Sequence, residues 1–156
     1  DLTRTIPVNG KFSDRQKEVY QAVLRVMKAA TDMLVLGALL DEYHKQVGLI
    51  MQAELLQLGL ITDKEIKEQD ADKPAYKKYF MHGTSHYLGL DVHDVGNKYE
   101  AIQAGMVFTV EPGIYIPDES LGIRIENDVL VTNNKPKDLM ANIPREVEAI
   151  EDFMKS

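Results

Sequence analysis

Cysteine is absent from the sequence. That excludes a disulfide framework, a thiolate zinc site and a cysteine nucleophile. An excess of positive charge is absent too: 18 Lys and Arg stand against 25 Asp and Glu, a net charge of −7. A nucleic-acid module ordinarily carries a basic face, and attachment to an anionic bilayer needs one. Neither nucleic acid nor membrane is therefore an expected partner. No apolar run approaches the roughly 20 residues that cross a bilayer. No signal-peptide pattern is visible, so the expected compartment is the cytoplasm. Repeats, low-complexity tracts and linkers are missing as well. What remains is ordinary globular composition, 44% apolar and 28% charged, over 156 residues. That is enough for one domain with its own core. One oddity is the first residue, Asp rather than Met, in a segment (DLTRTIPVNG) that reads as a strand and turn already under way.

The first half reads as helix. Ser13 and Gln16 fit a capping box, and Val19, Tyr20, Val23, Leu24, Val26 and Met27 follow at helical spacing, so a helix is predicted from Asp14 to about Ala30. A second is predicted from near Asp41 to Leu58, with Val47, Ile50, Met51, Leu55 and Leu58 on its apolar side and Gly59 as its stop. Thr62 and Glu65 suggest a short third helix before the charged stretch around 70–74. The second half changes character. Extended runs are predicted at Val107–Glu111, Ile114–Ile116, Gly122–Glu126 and Val129–Thr132, with a turn at Asn133-Asn134. A last helix is predicted from Arg145 to about Met154, with Pro144 in its first turn. Helices followed by strands imply an α+β fold, helices on one face of an antiparallel sheet.

Three of the four histidines, His82, His86 and His93, fall within twelve residues: MHGTSHYLGLDVHD. His82 and His86 have the spacing of a helical zinc pair, but the Glu of H-E-x-x-H is missing and Gly83 and Gly89 oppose a helix. The stretch is expected to bend and present its imidazoles at one edge. Two carboxylates add to this: Glu111 in FTVEPGIY and Glu126 in GIRIEND. Strand periodicity puts Val107, Thr109 and Glu111 on one face, and Arg124 and Glu126 on one face. An acid inside an otherwise apolar strand is costly unless it is paired or holds a cation. A salt bridge or an edge-strand charge explains either one alone. Both together, with the histidines and an Asp beside TRT, point to oxygen-rich ligation of one or two divalent metals.

DLTRTIPVNGKFSDRQKEVY, FMHGTSHYLGLDVHDVG, AGMVFTVEPGIYIP and LGIRIENDVLVT resemble, in that order, the motifs of Xaa-Pro aminopeptidases (aminopeptidase P), from Asp1 to about Thr132. The related Xaa-Pro dipeptidases (prolidases) share most of them. The resemblance implies a pita-bread fold, a curved antiparallel sheet flanked by helices around two divalent metal ions. Manganese is the expected metal; cobalt and zinc suit the same ligands. By the same resemblance, Asp1 and Glu126 bridge the metals, His86 is the imidazole ligand to one of them, and Glu111 is a ligand to that metal and a proton shuttle. His82 and His93 line the substrate site, His93 bonding substrate near the scissile bond. Arg124 orients this region, and Tyr115 lies near the metals. The implied reaction releases an N-terminal residue that precedes proline. Proline in second position has no amide hydrogen, so a site asking for that donor would reject it. Gly83 and Gly113 offer close backbone approach or simple turn geometry.

One family feature is not matched: a further metal-binding Asp on a strand before the D-x-T-R-T segment. Residues 1–156 are therefore expected to be the C-terminal part of a pita-bread catalytic domain, lacking an N-terminal domain and first strands, and inactive alone. Asn127 stands where Asp is common. The alternatives are a dipeptidase, differing in substrate length, and a non-catalytic pita-bread protein used for binding. Relatives of that last kind lose ligands, whereas every ligand position within this chain is filled. The intact protein is expected to be a homo-oligomer acting on peptides with proline at the second position.

Overall fold

The structure, a computed structural model, describes residues 1–155. Helix α1 (Asp14–Met33) begins at the predicted capping box: the Ser13 hydroxyl accepts from the Gln16 amide and the Gln16 side chain returns the bond. It runs almost a turn beyond the predicted end, with Thr31 bonding back to the Met27 carbonyl. Val19, Tyr20, Val23, Leu24, Val26 and Met27 are all buried. Helix α2 (Leu40–Gln57) packs Val47, Met51 and Leu55 against α1. Ile50 and Leu58 only flank this core. The helix ends as predicted: Gly59 adopts a left-handed φ of 71°, and the Gly59 and Leu60 amides bond the Leu56 and Leu55 carbonyls. Gly48, inside α2, lies directly under the Tyr76 ring, where even a methyl group would overlap the phenol. Glu54 of α2 is 8% exposed and is gripped by Arg25 of α1 through two bonds of 2.8 and 2.6 Å. The short helix α3 (Asp63–Glu68) starts at the expected Thr62–Glu65 box, and a 3₁₀ turn (Ala75–Lys78) follows.

The strands are β1 (Val107–Val110), β2 (Gly113–Ile116), β3 (Leu121–Arg124), β4 (Asn127–Leu130) and β5 (Lys137–Asp138). They form two small antiparallel sheets, β1-β4-β5 and β2-β3, rather than one. The reason is a kink. Pro112 cannot donate to a ladder, so β1 stops at Val110 and its continuation resumes as β2. The partner strand breaks at the same level, between Arg124 and Asn127. Val110 pairs with Asn127 on one side of the break and Gly113 with Arg124 on the other. The register is thus unbroken, and it sets Glu111 opposite Glu126 at the kink. Both acids were predicted inside strands; both lie just beyond strand ends. The isolated bridges Thr3↔Glu126 and Tyr87↔Phe108 tie the first residues and the histidine segment to this ribbon.

The last helix, α4 (Val147–Phe153), starts later than predicted, and Pro144 lies outside it. The Pro144 carbonyl accepts from Arg4 and the Arg145 carbonyl from the Tyr20 hydroxyl, and Glu146 is still extended as the helix cap. The Asn133-Asn134 turn is present as a bend closed by Thr132. Among the described residues, no helix is long and apolar enough to cross a membrane.

Candidate metal centre

The histidine segment carries no helix. It runs as bends held to β1: the Thr109 amide donates to the His86 carbonyl (3.2 Å), the His86 amide to the Thr109 hydroxyl (3.1 Å), and the Glu111 amide to the Thr84 carbonyl (2.8 Å). This lays His86 beside the kink that carries Glu111 and Glu126. His86 Nδ1 lies 2.8 Å from the Tyr87 carbonyl oxygen. A carbonyl only accepts, so Nδ1 donates there and Nε2 is the nitrogen left to act as a ligand atom. Nε2 faces Asp1 Oδ2 at 3.7 Å and Glu111 Oε1 at 3.5 Å. One ligand atom from each of Asp1, His86 and Glu126 lies within 4.8 Å of the others. All four residues expected to hold metal therefore meet in one place.

Glu126 is 2% exposed. Its Oε2 accepts the Thr3 hydroxyl at 2.5 Å, and that hydroxyl oxygen accepts in turn from Arg124 Nε at 3.1 Å. Arg124 also stands 4.0 Å from both Glu111 Oε2 and Glu126 Oε2. Burial raises the Glu111 carboxyl to about 7; the Glu126 charge adds to the rise, and Arg124 and His93 oppose it. The His93 ring is exposed and stacks edge-on against His86, centroids 4.3 Å apart. His82 sits to one side, edge-on to Phe80, with Nε2 2.8 Å from the Tyr115 hydroxyl and Nδ1 2.8 Å from the Gly83 carbonyl. Burial lowers the proton affinity of His82. Burial also raises the Tyr115 phenol, with Arg124 opposing. Gly113 leaves room only for hydrogen, since a methyl there would meet the Tyr115 ring.

The donor set fits a divalent cation. A buried carboxylate pair facing one another is unfavourable without positive charge between them, and the imidazole lone pair is aimed at the same space. Carboxylate oxygens with one imidazole suit hard or borderline divalent metals.

Sequence reasoning missed Thr3, which bridges Arg124 to Glu126, and Arg4, which bonds the backbone beneath. A signal for Thr3 was present: period two puts it on the same face as Asp1. None marked Arg4.

The profile of metallopeptidase family M24 matches residues 1–133. The chain belongs to metallopeptidase family M24. It is similar to the Xaa-Pro aminopeptidase of Haemophilus influenzae, 41% identical over 99% of this chain and 38% of that protein. It is also similar to human Xaa-Pro aminopeptidase 3, 41% identical over 98% of this chain and 32% of that one. The zinc-substituted aminopeptidase P of Escherichia coli, solved in complex with product, superposes with a TM-score of 0.87 at 38% identity, covering 99% of this chain and 38% of that structure. The chain thus spans under two-fifths of the length of these relatives. Its α+β architecture is that of the M24 pita-bread fold, and the M24 family implies divalent metal.

Proposed function

We propose that the protein to which these residues belong is a dinuclear metal-dependent Xaa-Pro aminopeptidase, cleaving an N-terminal residue from a following proline. The observation that carries the proposal is the convergence of Asp1, His86, Glu111 and Glu126 beside a separate polar wall made by His82, Tyr115 and Arg124. Asp1, His86, Glu111 and Glu126 would hold the metals, with manganese the expected ion and cobalt or zinc compatible. Bound divalent metal supplies Lewis acidity and lowers the pKa of coordinated water.

This chain's own residues do the rest. Glu111, poised near neutrality, exchanges a proton at its carboxylate and can deliver it to the proline nitrogen as the bond breaks. His93, exposed beside His86, would bond the substrate near the scissile group. His82 lies between Gly83 and Tyr115, and burial lowers its proton affinity. Arg124, 4.0 Å from both glutamates, counters their charge. A cytoplasmic homo-oligomer acting on peptides with proline at the second position completes the reading.

The test uses the full-length protein with manganese on Xaa-Pro peptides of increasing length. Release of the first residue from tri- and longer peptides is expected. Turnover of dipeptides alone would make it a dipeptidase, and no turnover with bound metal would make it a binding protein. The Glu126→Ala variant should lose activity and bound metal by elemental analysis; full activity would refute the site. The 156-residue stretch assayed alone should turn over little, since it comprises 38% of the length of its relative.

A further inference from the structure

Below the candidate metal centre, Arg4 is half-buried and spends its donors on four acceptors. Nε donates to the Pro144 carbonyl (2.8 Å), Nη1 to the Thr3 (2.9 Å) and Glu126 (2.8 Å) carbonyls, and Nη2 to Asn127 Oδ1 (2.7 Å). Thr3 and Glu126 are also the two residues that pair through their main chains, by bonds of 3.4 and 3.0 Å. One guanidinium therefore seals both carbonyls of the bridge that carries Glu126 and, two residues upstream of Thr3, Asp1. Asn127 is fully buried and passes the arrangement on: its Nδ2 donates to both oxygens of Asp138 (2.9 and 2.8 Å), which also takes Arg145 Nη1 and the Met140 amide.

Resting on the metallopeptidase reading above, we propose that Arg4 is a positioning residue that sets the spacing between the Asp1 and Glu126 carboxylates, and that the Asn127 amide holds Arg4 in place against Asp138. The geometry explains why the residue after Glu126 is Asn. The side chain must accept from Arg4 on one atom and donate to Asp138 on the other, which only an amide does. A carboxylate there would face the Asp138 carboxylate. Lysine at position 4 could not replace arginine, because three donors on one nitrogen do not reach acceptors spread around a planar fork. Groups behind metal ligands typically change metal affinity about 10–100-fold.

The experiment titrates Mn²⁺ into metal-free full-length protein by calorimetry, with near-ultraviolet circular dichroism to confirm folding. Arg4→Lys and Asn127→Asp should each weaken binding by about tenfold or more. The double variant Asn127→Asp/Asp138→Asn restores alternating acceptor and donor atoms and should recover binding to within about threefold of wild type. Arg25→Lys, which loosens the α1–α2 clamp far from the site, should leave affinity unchanged. Wild-type affinity in both Arg4→Lys and Asn127→Asp overturns the proposal. So does equal weakening by Arg25→Lys, or a folded double variant that recovers nothing. If Arg4→Lys does not fold, the Asn127 and Asp138 variants decide. A wild-type protein that binds no divalent cation, as poorly as Glu126→Ala, overturns the metallopeptidase reading and this proposal together.

Discussion

The Tyr115 hydroxyl and Nε2 of His82 share a hydrogen bond of 2.8 Å, joining strand β2 to the segment that follows the 3₁₀ turn. Nδ1 of the same ring is committed to the Gly83 carbonyl, and burial, which lowers the proton affinity of His82, favours the neutral ring whose Nε2 accepts from the phenol. Replacing Tyr115 by Phe removes one partner without touching a candidate ligand. Activity on Xaa-Pro peptides, read as kcat/KM, should fall about tenfold, the equivalent of one ordinary hydrogen bond. Metal content should not change. A parallel loss of metal would move Tyr115 into the ligand set.

Thr3 offers a second test. Its hydroxyl donates to a buried carboxylate and accepts from Arg124. The isosteric Thr3→Val keeps the volume and strands both groups. The cost in the metal-free protein should be about 2 kcal/mol, as for bonds to charged partners, read from urea unfolding. Thr3→Ser should restore most of it. If Val and Ser behave alike, the hydroxyl is not the operative group.

The raised Glu111 carboxyl gives a pH dependence of known sign. Its ordinary value is 4.5 and its folded value about 7, with burial the main cause. Between these, the folded metal-free protein holds a proton that the unfolded chain has released. Glu111 therefore contributes stability below about pH 4.5 that is lost as pH rises through about 7. Glu111→Gln should flatten this part of the thermal-midpoint profile. In the presence of Mn²⁺ the same proton must leave, so affinity should drop as pH falls below 7. A pH-independent affinity from 5 to 8 contradicts the assignment.

Arg25→Met would leave Glu54 buried without its partner. The guanidinium is half exposed, which reduces the loss to about 1–2 kcal/mol, read as a lower thermal midpoint. Metal binding should be unaffected, because neither residue touches the site.

Much of this was legible in the sequence wherever the signal was local. Ser13 with Gln16, Thr62 with Glu65, and Gly59 each act within a few residues, and each does in the structure what its neighbours implied. The acids and histidines were legible as chemistry out of place: carboxylates in apolar strands, imidazoles crowded into a glycine-bearing stretch. Asp1 was legible only as an acid beside TRT, and resemblance to relatives then supplied its role. What escaped was long-range. The Pro144 carbonyl is held by Arg4, 140 residues away, and no local preference predicts that α4 must wait until Val147. Nor does periodicity foresee the kink at Pro112, which moved Glu111 and Glu126 off their strands while keeping them face to face.

The bridge between Thr3 and Glu126 joins residues 123 positions apart. Closing so long a loop is among the costliest steps in chain entropy, and contacts of this kind form late. The α1–α2 pair, by contrast, is near in sequence and can assemble early. A partly folded chain with its helices docked would still lack the cluster. Cation occupancy is accordingly a readout of the completed fold, and a chelator should lower the unfolding midpoint of the whole domain rather than loosen one corner of it.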